Sequence, residues 1–252
     1  MIGCNPSSVG LNAGEKLHDL QIHNLHLIQR DDGYCFTSDS VLLANFVKTK
    51  KSDTVVELCA GSGVVSILAC SKNNYKTITA VELQPTLASL AERNFCINNI
   101  QNSKVICGRL QDCPSILGSE IADVVFCNPP FFKKELLTAE NEERAIARKE
   151  LCLNLPELVE CCTKLLKFGG NLFMVHQTER MAEIFSVLEK YKIQPKEVQL
   201  VQPKKDKSSN IFLVRATKGG KSGLKFLPTL IMYDQNGNES KELQEIYCRK
   251  KK

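Results

Sequence analysis

No Cys-x-x-Cys pair occurs in this chain, although 12 of its 252 residues are cysteines. Structural zinc sites need paired thiolates at short, fixed spacing, so the missing pairs argue against a zinc centre. Instead, several cysteines lie inside apolar runs, where alanine or valine would serve equally well: Cys59, Cys70, Cys96, Cys107 and Cys127. We therefore expect no metal site, and reduced cysteines that act as small hydrophobic side chains in a reducing compartment.

Long hydrophobic runs are also missing. No apolar stretch approaches the roughly 20 residues that a membrane span needs. Residues 1–6 lack the basic segment and apolar stretch that mark a secretory signal. We therefore expect a cytoplasmic protein that does not contact a membrane. The histidines, at positions 18, 23, 26 and 176, show no metal-ligand spacing. The net charge of +5 permits a nucleic-acid partner without requiring one.

From residue 54 onwards, short apolar runs alternate with helical patterns. The predicted strands are 54–58, 77–81, 104–107, 122–127 and 171–176, and the predicted helices are 64–71, 86–98, 156–168 and 178–191. Gly169 and Gly170 are expected to close the third helix. Two further strands, 196–201 and 211–216, have only a polar connector between them, which favours an antiparallel pair. The prediction is an α/β, Rossmann-like, doubly wound sheet of seven strands, mostly parallel with a C-terminal antiparallel pair.

The first of these strands runs into a glycine turn, Cys59-Ala60-Gly61-Ser62-Gly63. Ligands of open α/β sheets bind at the carboxyl ends of the strands, and glycine lets the backbone approach them closely. A dinucleotide-binding loop would carry a third glycine where Ser66 stands. Glu57 suits an ammonium group and would repel a pyrophosphate. Glu82, at the end of the next strand, can accept hydrogen bonds from ribose hydroxyls. S-adenosylmethionine satisfies all of these features.

A second motif, Asn128-Pro129-Pro130-Phe131, follows the strand 122–127. The amino group of an adenine or an amide is a poor nucleophile because its lone pair is delocalised. The side-chain oxygen of Asn128 and the backbone carbonyl of Pro129 can accept both of its N–H bonds. Pro129 and Pro130 stiffen the loop, and Phe131 can stack on a flat substrate. The two motifs together predict methyl transfer to an amino nitrogen.

These motifs resemble those of class I S-adenosylmethionine-dependent methyltransferases. Three further segments are similar to one branch of them: residues 33–44 (GYCFTSDSVLLA), 81–84 (VELQ) and 147–150 (ARKE). That branch is the bacterial tRNA adenine-N6 methyltransferases, which modify the adenine beside the anticodon of a valine tRNA. The resemblance covers residues 17–247. It implies an N-terminal extension that covers the cofactor (1–53) and a methyltransferase domain (54–252).

The resemblance also implies roles for individual residues. Asn128, Pro129, Pro130 and Phe131 would hold the target base, and Lys133 and Arg148 would contact the substrate. The cofactor would be bound by Phe36, Asp39, Glu57, Cys59, Gly61, Gly63, Glu82, Leu83, Leu110 and Asn128. In one position the chain departs from the family, since Gly108-Arg109 replaces a Gly-Asp pair whose carboxylate meets the adenine of the cofactor. Arg109 cannot accept a hydrogen bond, so either Asp112 or apolar contacts such as Leu110 would take over.

Three alternative functions share some of these features. A protein glutamine N5-methyltransferase uses the same Asn-Pro-Pro chemistry but usually has a larger N-terminal helical domain. An rRNA guanine-N2 methyltransferase carries the same tetrapeptide, and a non-catalytic RNA-binding protein is supported only by Arg109. Basic residues that could contact a tRNA partner are Lys133-Lys134, Arg148-Lys149, Lys204-Lys205, Lys207, Lys218, Lys221 and the tail. No obligate protein partner is evident.

Overall fold

The computed structural model describes residues 10–31, 36–130 and 154–248. In chain order, its elements are β1 (Glu15–Asp19), β2 (His26–Arg30), α1 (Ser38–Phe46), β3 (Thr54–Leu58), α2 (Val64–Lys72), β4 (Thr77–Glu82), α3 (Pro85–Ile97), β5 (Ser103–Cys107), α4 (Cys113–Leu117), β6 (Ala122–Cys127), α5 (Leu155–Leu165), β7 (Leu166–Gln177), α6 (Met181–Lys190), β8 (Ile193–Gln202), β9 (Ile211–Lys218), β10 (Lys225–Phe226), β11 (Leu230–Ile231) and α7 (Lys241–Ile246).

The central sheet has the strand order β10-β8-β9-β7-β6-β3-β4-β5, and β11 also pairs with β8. Strands β3 to β7 run parallel, whereas β9 is antiparallel to both β7 and β8. The predicted α/β class and antiparallel pair are therefore confirmed. The predicted count of seven strands is wrong, because β10 and β11 extend the sheet to nine strands. Each is two residues long, which is too short to produce a periodic pattern in the sequence.

Helices cover both faces of the sheet, because neighbouring residues of a strand point to opposite sides. Val55 and Val124 belong to a core that they share with α1 and α2. Val56 and Val125 belong to a second core, which contains residues of α5 and α6. From β3 the chain first builds outwards to β5 and then returns to place β6 on the other side of β3. The carboxyl ends of β3 and β6 therefore flank the point where the chain reverses direction across the sheet, which is where such folds bind ligands.

The predicted helix 156–168 ends earlier than expected, at Leu165. Leu166 is already extended and pairs with Ala122, so β7 begins there rather than at residue 171. The step from Ala122 to Val124 on β6 faces the step from Leu166 to Asn171 on β7, and residues 167–170 form a bulge. The two glycines lie in this bulge, so the prediction that they close the helix is wrong. A Cβ atom on Gly170 would lie 2.9 Å from the carbonyl oxygen of Lys167.

Strands β1 and β2 form a separate antiparallel hairpin. Asn94 in α3 and Asn98, directly after the helix, hold β2 through their side-chain amides. Asn94 accepts from the Ile28 amide at 2.7 Å and donates to the Ile28 carbonyl at 3.1 Å. Asn98 makes the same pair of bonds with His26, at 2.9 and 2.7 Å. The hairpin and α1 fall within the predicted N-terminal extension, and the division of the chain at residue 53 stays a prediction.

Most of the described cysteines are free thiols, and Cys113, Cys127, Cys161 and Cys162 are buried. Burial raises the pKa of Cys127 well above its ordinary value. Cys96 is disulfide-bonded, so the expectation of reduced cysteines is wrong at this position. The spacing of the cysteines along the chain did not predict this disulfide, because the fold determines which sulfur atoms lie close together.

Within the described ranges, no three His, Cys, Asp or Glu side chains form a group suited to a metal ion. No helix in the part of the chain described here has both the length and the apolar composition to cross a membrane.

Candidate active site

The turn between β3 and α2 is tight and leaves open space on one side. Gly61 and Gly63 have positive φ angles of 55° and 82°. A Cβ atom on Gly63 would lie 2.8 Å from a ring carbon of Phe95, so only glycine fits between the loop and α3. A Cβ atom on Gly61 would meet no heavy atom within 4 Å. The loop is therefore packed against the protein at Gly63 and open for a ligand at Gly61.

Glu82 fixes this loop from the end of β4. One carboxylate oxygen accepts a hydrogen bond from the Gly61 amide at 2.8 Å, and the other accepts one from the Gln84 amide at 2.9 Å. The residue is only 6% exposed. Each carboxylate oxygen can accept a second hydrogen bond. Glu82 therefore has the capacity to bind hydroxyl groups of a ligand while it holds the backbone of the loop.

Glu57 is almost fully buried, with 1% exposure, one residue before the end of β3. Its Oε2 atom accepts hydrogen bonds from the amide of Ser66, at 3.2 Å, and from the Ser66 hydroxyl. Burial raises the pKa of Glu57 to about 8, and the neighbouring charge of Glu82 adds to the effect. Its Oε1 atom accepts no hydrogen bond from any residue that the structure describes. This carboxyl therefore retains acceptor capacity for a donor or a cation.

Asn128 follows β6, the strand that pairs with β3. Its side-chain amide nitrogen donates to the hydroxyl of Ser40 in α1, at 3.1 Å. Ser40 is 4% exposed, so this contact is shielded from water. With the nitrogen engaged, the side-chain oxygen of Asn128 remains as an acceptor. Pro129 is buried and Pro130 is exposed. Phe131, Lys133 and Arg148 lie outside the described residues.

Residues 36–198, more than half of the chain, match the family described as a methyltransferase small domain. The chain belongs to this family. Three similar proteins are named tRNA1(Val) (adenine(37)-N6)-methyltransferase. The one from Shewanella woodyi is 29% identical over 169 residues, which are 66% of this chain and 69% of that protein. The one from Shewanella baltica is 28% identical over 165 residues, 65% of this chain and 68% of that protein. The one from Aliivibrio salmonicida is 28% identical over 138 residues, which are 55% of this chain and 58% of that protein, less than two thirds of its length.

Solved structures show the same fold at lower sequence similarity. A predicted O-methyltransferase from Agrobacterium tumefaciens superimposes with a TM-score of 0.69 at 18% identity, over 84% of this chain and 96% of that one. TYW2 of M. jannaschii, crystallised with AdoMet, superimposes with a TM-score of 0.57 at 16% identity, over 83% and 87%. These likenesses confirm the Rossmann-like fold that the sequence predicted.

Family membership confirms that the chain is a methyltransferase, and S-adenosylmethionine is the methyl donor of the family. The residues at the site fit this molecule. Glu57 has an oxygen that no described donor engages, and it can accept from an ammonium group. Gly61 borders open space, and Glu82 beside it has the capacity to bind ribose hydroxyls.

The other residues predicted to bind the cofactor lie around the same edge of the sheet. The Gly108 amide, after β5, donates to the Glu82 carbonyl at 2.9 Å and brings the next loop close to β4. Leu83 is 39% exposed, and Leu110 is partly buried against the second core. Arg109 and Asp112 are exposed. This end of the methyltransferase site therefore offers apolar surface beside the loop that carries Arg109.

Phe36, Asp39 and Cys59 complete the predicted cofactor set. Phe36 packs against the core that contains α1 and α2. Asp39 lies in the first turn of α1, where burial raises its pKa and the Ser38 hydroxyl donates to it at 3.4 Å. Cys59 has a positive φ of 58° and is partly exposed at the start of the glycine turn. Their roles in cofactor binding stay predictions.

Sequence reasoning missed three residues of this site. Ser40 belongs to the segment that resembles the family, but the sequence assigned it no role. The sequence marked Ser66 only as the position of an absent third glycine. It gave Asn94 no role, yet the side-chain amide of Asn94 also donates to the Ser62 carbonyl, at 3.0 Å, inside the glycine turn. The spacing of Asn94 and Asn98 on one helix face was the available signal, since amides one turn apart can hold an adjacent extended segment.

Proposed function

We propose that this protein transfers a methyl group from S-adenosylmethionine to the N6 amino group of an adenine in tRNA, the adenine beside the anticodon of a valine tRNA. The observation that carries the proposal is the hydrogen bond from Asn128 to Ser40. It turns the amide so that its oxygen, and not its nitrogen, is available to an incoming amino group. The names of the three relatives support the choice of tRNA and of adenine N6.

The chain contributes orientation rather than acid or base chemistry. The side-chain oxygen of Asn128 and the carbonyl of Pro129 would accept the two N–H bonds of the amino group. This arrangement favours a pyramidal nitrogen, whose lone pair is directed at the methyl group and is no longer delocalised into the ring. Binding in this geometry brings the reacting atoms to within about 3 Å. No general base is needed, because the methylated product loses its proton readily.

When it is bound, S-adenosylmethionine supplies a methyl group on a positively charged sulfur atom. Glu57 would accept from its ammonium group, and Glu82 from its ribose hydroxyls. The side chain of Arg109 is exposed and contains no hydrogen-bond acceptor atom for the adenine of the cofactor. We therefore infer that Leu83 and Leu110 hold this adenine ring through apolar contact. The substrate adenine must leave the RNA stack to reach Asn128, and bases in a loop do so at the lowest cost.

The test is transfer of labelled methyl groups to bulk tRNA, followed by nucleoside analysis. We expect N6-methyladenosine with the intact protein and a loss of about 100-fold or more with Asn128→Ala, as for other groups that orient a reacting centre. Asn45→Ala is the matched control, because Asn45 lies in α1, and among the described residues its side chain accepts only from Lys72, at 3.1 Å.

Two outcomes would contradict the proposal. Label in rRNA, or on a glutamine of a release factor, with none in tRNA would overturn the substrate and leave the amino-nitrogen chemistry in place. Equal activity of Asn128→Ala and Asn45→Ala would overturn the site itself.

A further inference from the structure

The loop between β8 and β9, residues 203–210, lies at the same edge of the sheet as Asn128. Gln177, the last residue of β7, pairs with Ile211, the first residue of β9. Beyond this pair, the Thr178 amide donates to the Asn210 carbonyl at 3.1 Å, and the Thr178 hydroxyl donates to the Ser209 carbonyl at 2.6 Å. The loop is therefore attached to the carboxyl end of β7. β6, which ends just before Asn128, is the neighbouring strand.

The distance between this loop and the site follows from the strand order. β9 and β6 lie on either side of β7, so two interstrand spacings separate them, about 10 Å in total. The phosphates of a nucleic-acid strand follow one another closely, so a strand that delivers one base to Asn128 can also place phosphates against this loop.

The loop carries the sequence Lys204-Lys205-Asp206-Lys207 and thus a local excess of positive charge. Lys205 and Lys207 are exposed, and none of the three lysines forms an ion pair with a residue described here. Arg180, in the turn that follows β7, differs in this respect because it forms an ion pair with Glu183 at 2.8 Å. Among the residues described at this end of β7, the loop therefore carries an excess of positive charge, because its three lysines outnumber Asp206.

The loop is also held in one conformation. The Lys207 amide donates to the Lys204 carbonyl at 3.0 Å and closes a turn. The Pro203 carbonyl accepts from the Tyr233 amide at 2.9 Å, and the ammonium group of Lys204 donates to the Gln235 carbonyl at 3.3 Å. Bonds on both sides thus fix the backbone from which the lysines project. A fixed loop loses less conformational entropy when it binds a partner than a free loop does.

We propose that loop 203–210 binds the phosphate backbone of the RNA that presents its adenine to Asn128. The inference rests on the proposed function and identifies the surface that holds the substrate. Lysines act as point charges without base preference, so this contact would fix the position of the strand and leave the choice of base to the pocket.

The experiment removes the three charges in K204Q/K205Q/K207Q. A matched control is K48Q/K50Q/K51Q. These lysines are exposed, as Lys205 and Lys207 are, lack a described ion pair and precede β3 at the opposite edge of the sheet. Binding of a fluorescent tRNA anticodon stem-loop is measured from low to high salt, together with the KM for tRNA and the Kd for S-adenosylmethionine. Both variants lose the same net charge, so a difference between them shows that the location of the charge matters. The double variant K205Q/K207Q keeps the bond from Lys204 to the Gln235 carbonyl and separates the loss of charge from a loosened loop.

We expect the loop variant to raise the Kd for RNA and the KM for tRNA by about tenfold or more. The slope of log K against log salt should become shallower by about 2, since three phosphate contacts release about 0.7 counterions each from a single strand. The control variant should match the intact protein, and the Kd for S-adenosylmethionine should be unchanged in all of these proteins.

Equal losses in both variants, or no loss in the loop variant, would overturn the inference. Its failure can be distinguished from failure of the proposed function. If the intact protein methylates tRNA but the loop variant binds RNA normally, only the inference about the loop is refuted. If the intact protein binds RNA through the loop but methylates no tRNA, the proposed reaction is refuted and the RNA contact of the loop is not.

Discussion

The amide nitrogen of Asn128 donates a 3.1 Å hydrogen bond to the hydroxyl of Ser40, although the two residues are 88 positions apart. Ser40 belongs to α1, which precedes the first strand of the central sheet, and Asn128 follows β6. The bond decides which end of the amide faces a substrate. A segment outside the glycine turn and the Asn-Pro-Pro motif thus positions the group on which the proposed chemistry depends.

Ser40→Ala removes this acceptor and leaves the Asn128 amide free to rotate. We expect kcat for methyl transfer to fall by about fivefold, since one hydrogen bond contributes about 1 kcal/mol, while the Kd for S-adenosylmethionine stays unchanged. Steady-state kinetics and titration calorimetry separate the two quantities. Ser71→Ala is the control, because it also removes a helical hydroxyl that makes one bond, to the Leu68 carbonyl at 2.8 Å. A loss of cofactor affinity equal to the loss of kcat would show that Ser40 serves the structure only.

The sequence was informative where local patterns decide the structure. Strands β3 and β6 have the predicted bounds, because each is an apolar, β-branched run that ends at a turn. It was less informative where a distant segment decides. The end of α5 depends on the pairing of Leu166 with Ala122, and β10 and β11 exist because β8 has a free edge to pair with.

The site shows the same division. Gly61, Gly63 and Asn128 could be predicted as site residues because their chemistry is contained in short motifs. Ser40 and Asn94 could not be predicted, because their hydrogen bonds join residues that are far apart in the chain. A polar residue in an apolar helix is a weak signal until its partner is known.

Asn94 and Asn98 offer a matched pair, because both hold β2 but only Asn94 also bonds to the Ser62 carbonyl in the glycine turn. We expect Asn94→Ala and Asn98→Ala each to destabilise the protein by about 1–3 kcal/mol, since each leaves backbone groups of β2 without a partner. Only Asn94→Ala should also weaken binding of S-adenosylmethionine, by about tenfold, because it releases the turn.

Thermal unfolding and calorimetric titration with S-adenosylmethionine measure the two effects on the same samples. If both variants lose cofactor affinity in proportion to their loss of stability, Asn94 acts through the hairpin and not through Ser62.

Glu57 links protonation to both stability and cofactor binding. Its pKa in the folded protein is about 8, against 4.5 for an ordinary glutamate, because the group is buried. Between these values the folded protein holds a proton that the unfolded chain has released. The contribution of Glu57 to the free energy of unfolding should therefore fall as the pH rises from about 5 to about 8, with a slope of at most about 1.4 kcal/mol per pH unit. Buried His176 has a lowered pKa and acts in the opposite direction at the acidic end of this range. Denaturant titrations of the intact protein and of Glu57→Gln therefore measure the contribution of Glu57 as the difference between their two slopes.

The ammonium group of S-adenosylmethionine should favour the ionised form of Glu57, so binding should release a proton at pH values below about 8. Affinity should then increase with pH up to that value in the intact protein and stay flat in Glu57→Gln, which retains a hydrogen-bond acceptor without the charge. Calorimetry in buffers of different ionisation enthalpy counts the released protons. Equal proton release by the intact protein and by Glu57→Gln would show that another group, and not Glu57, meets the ammonium group.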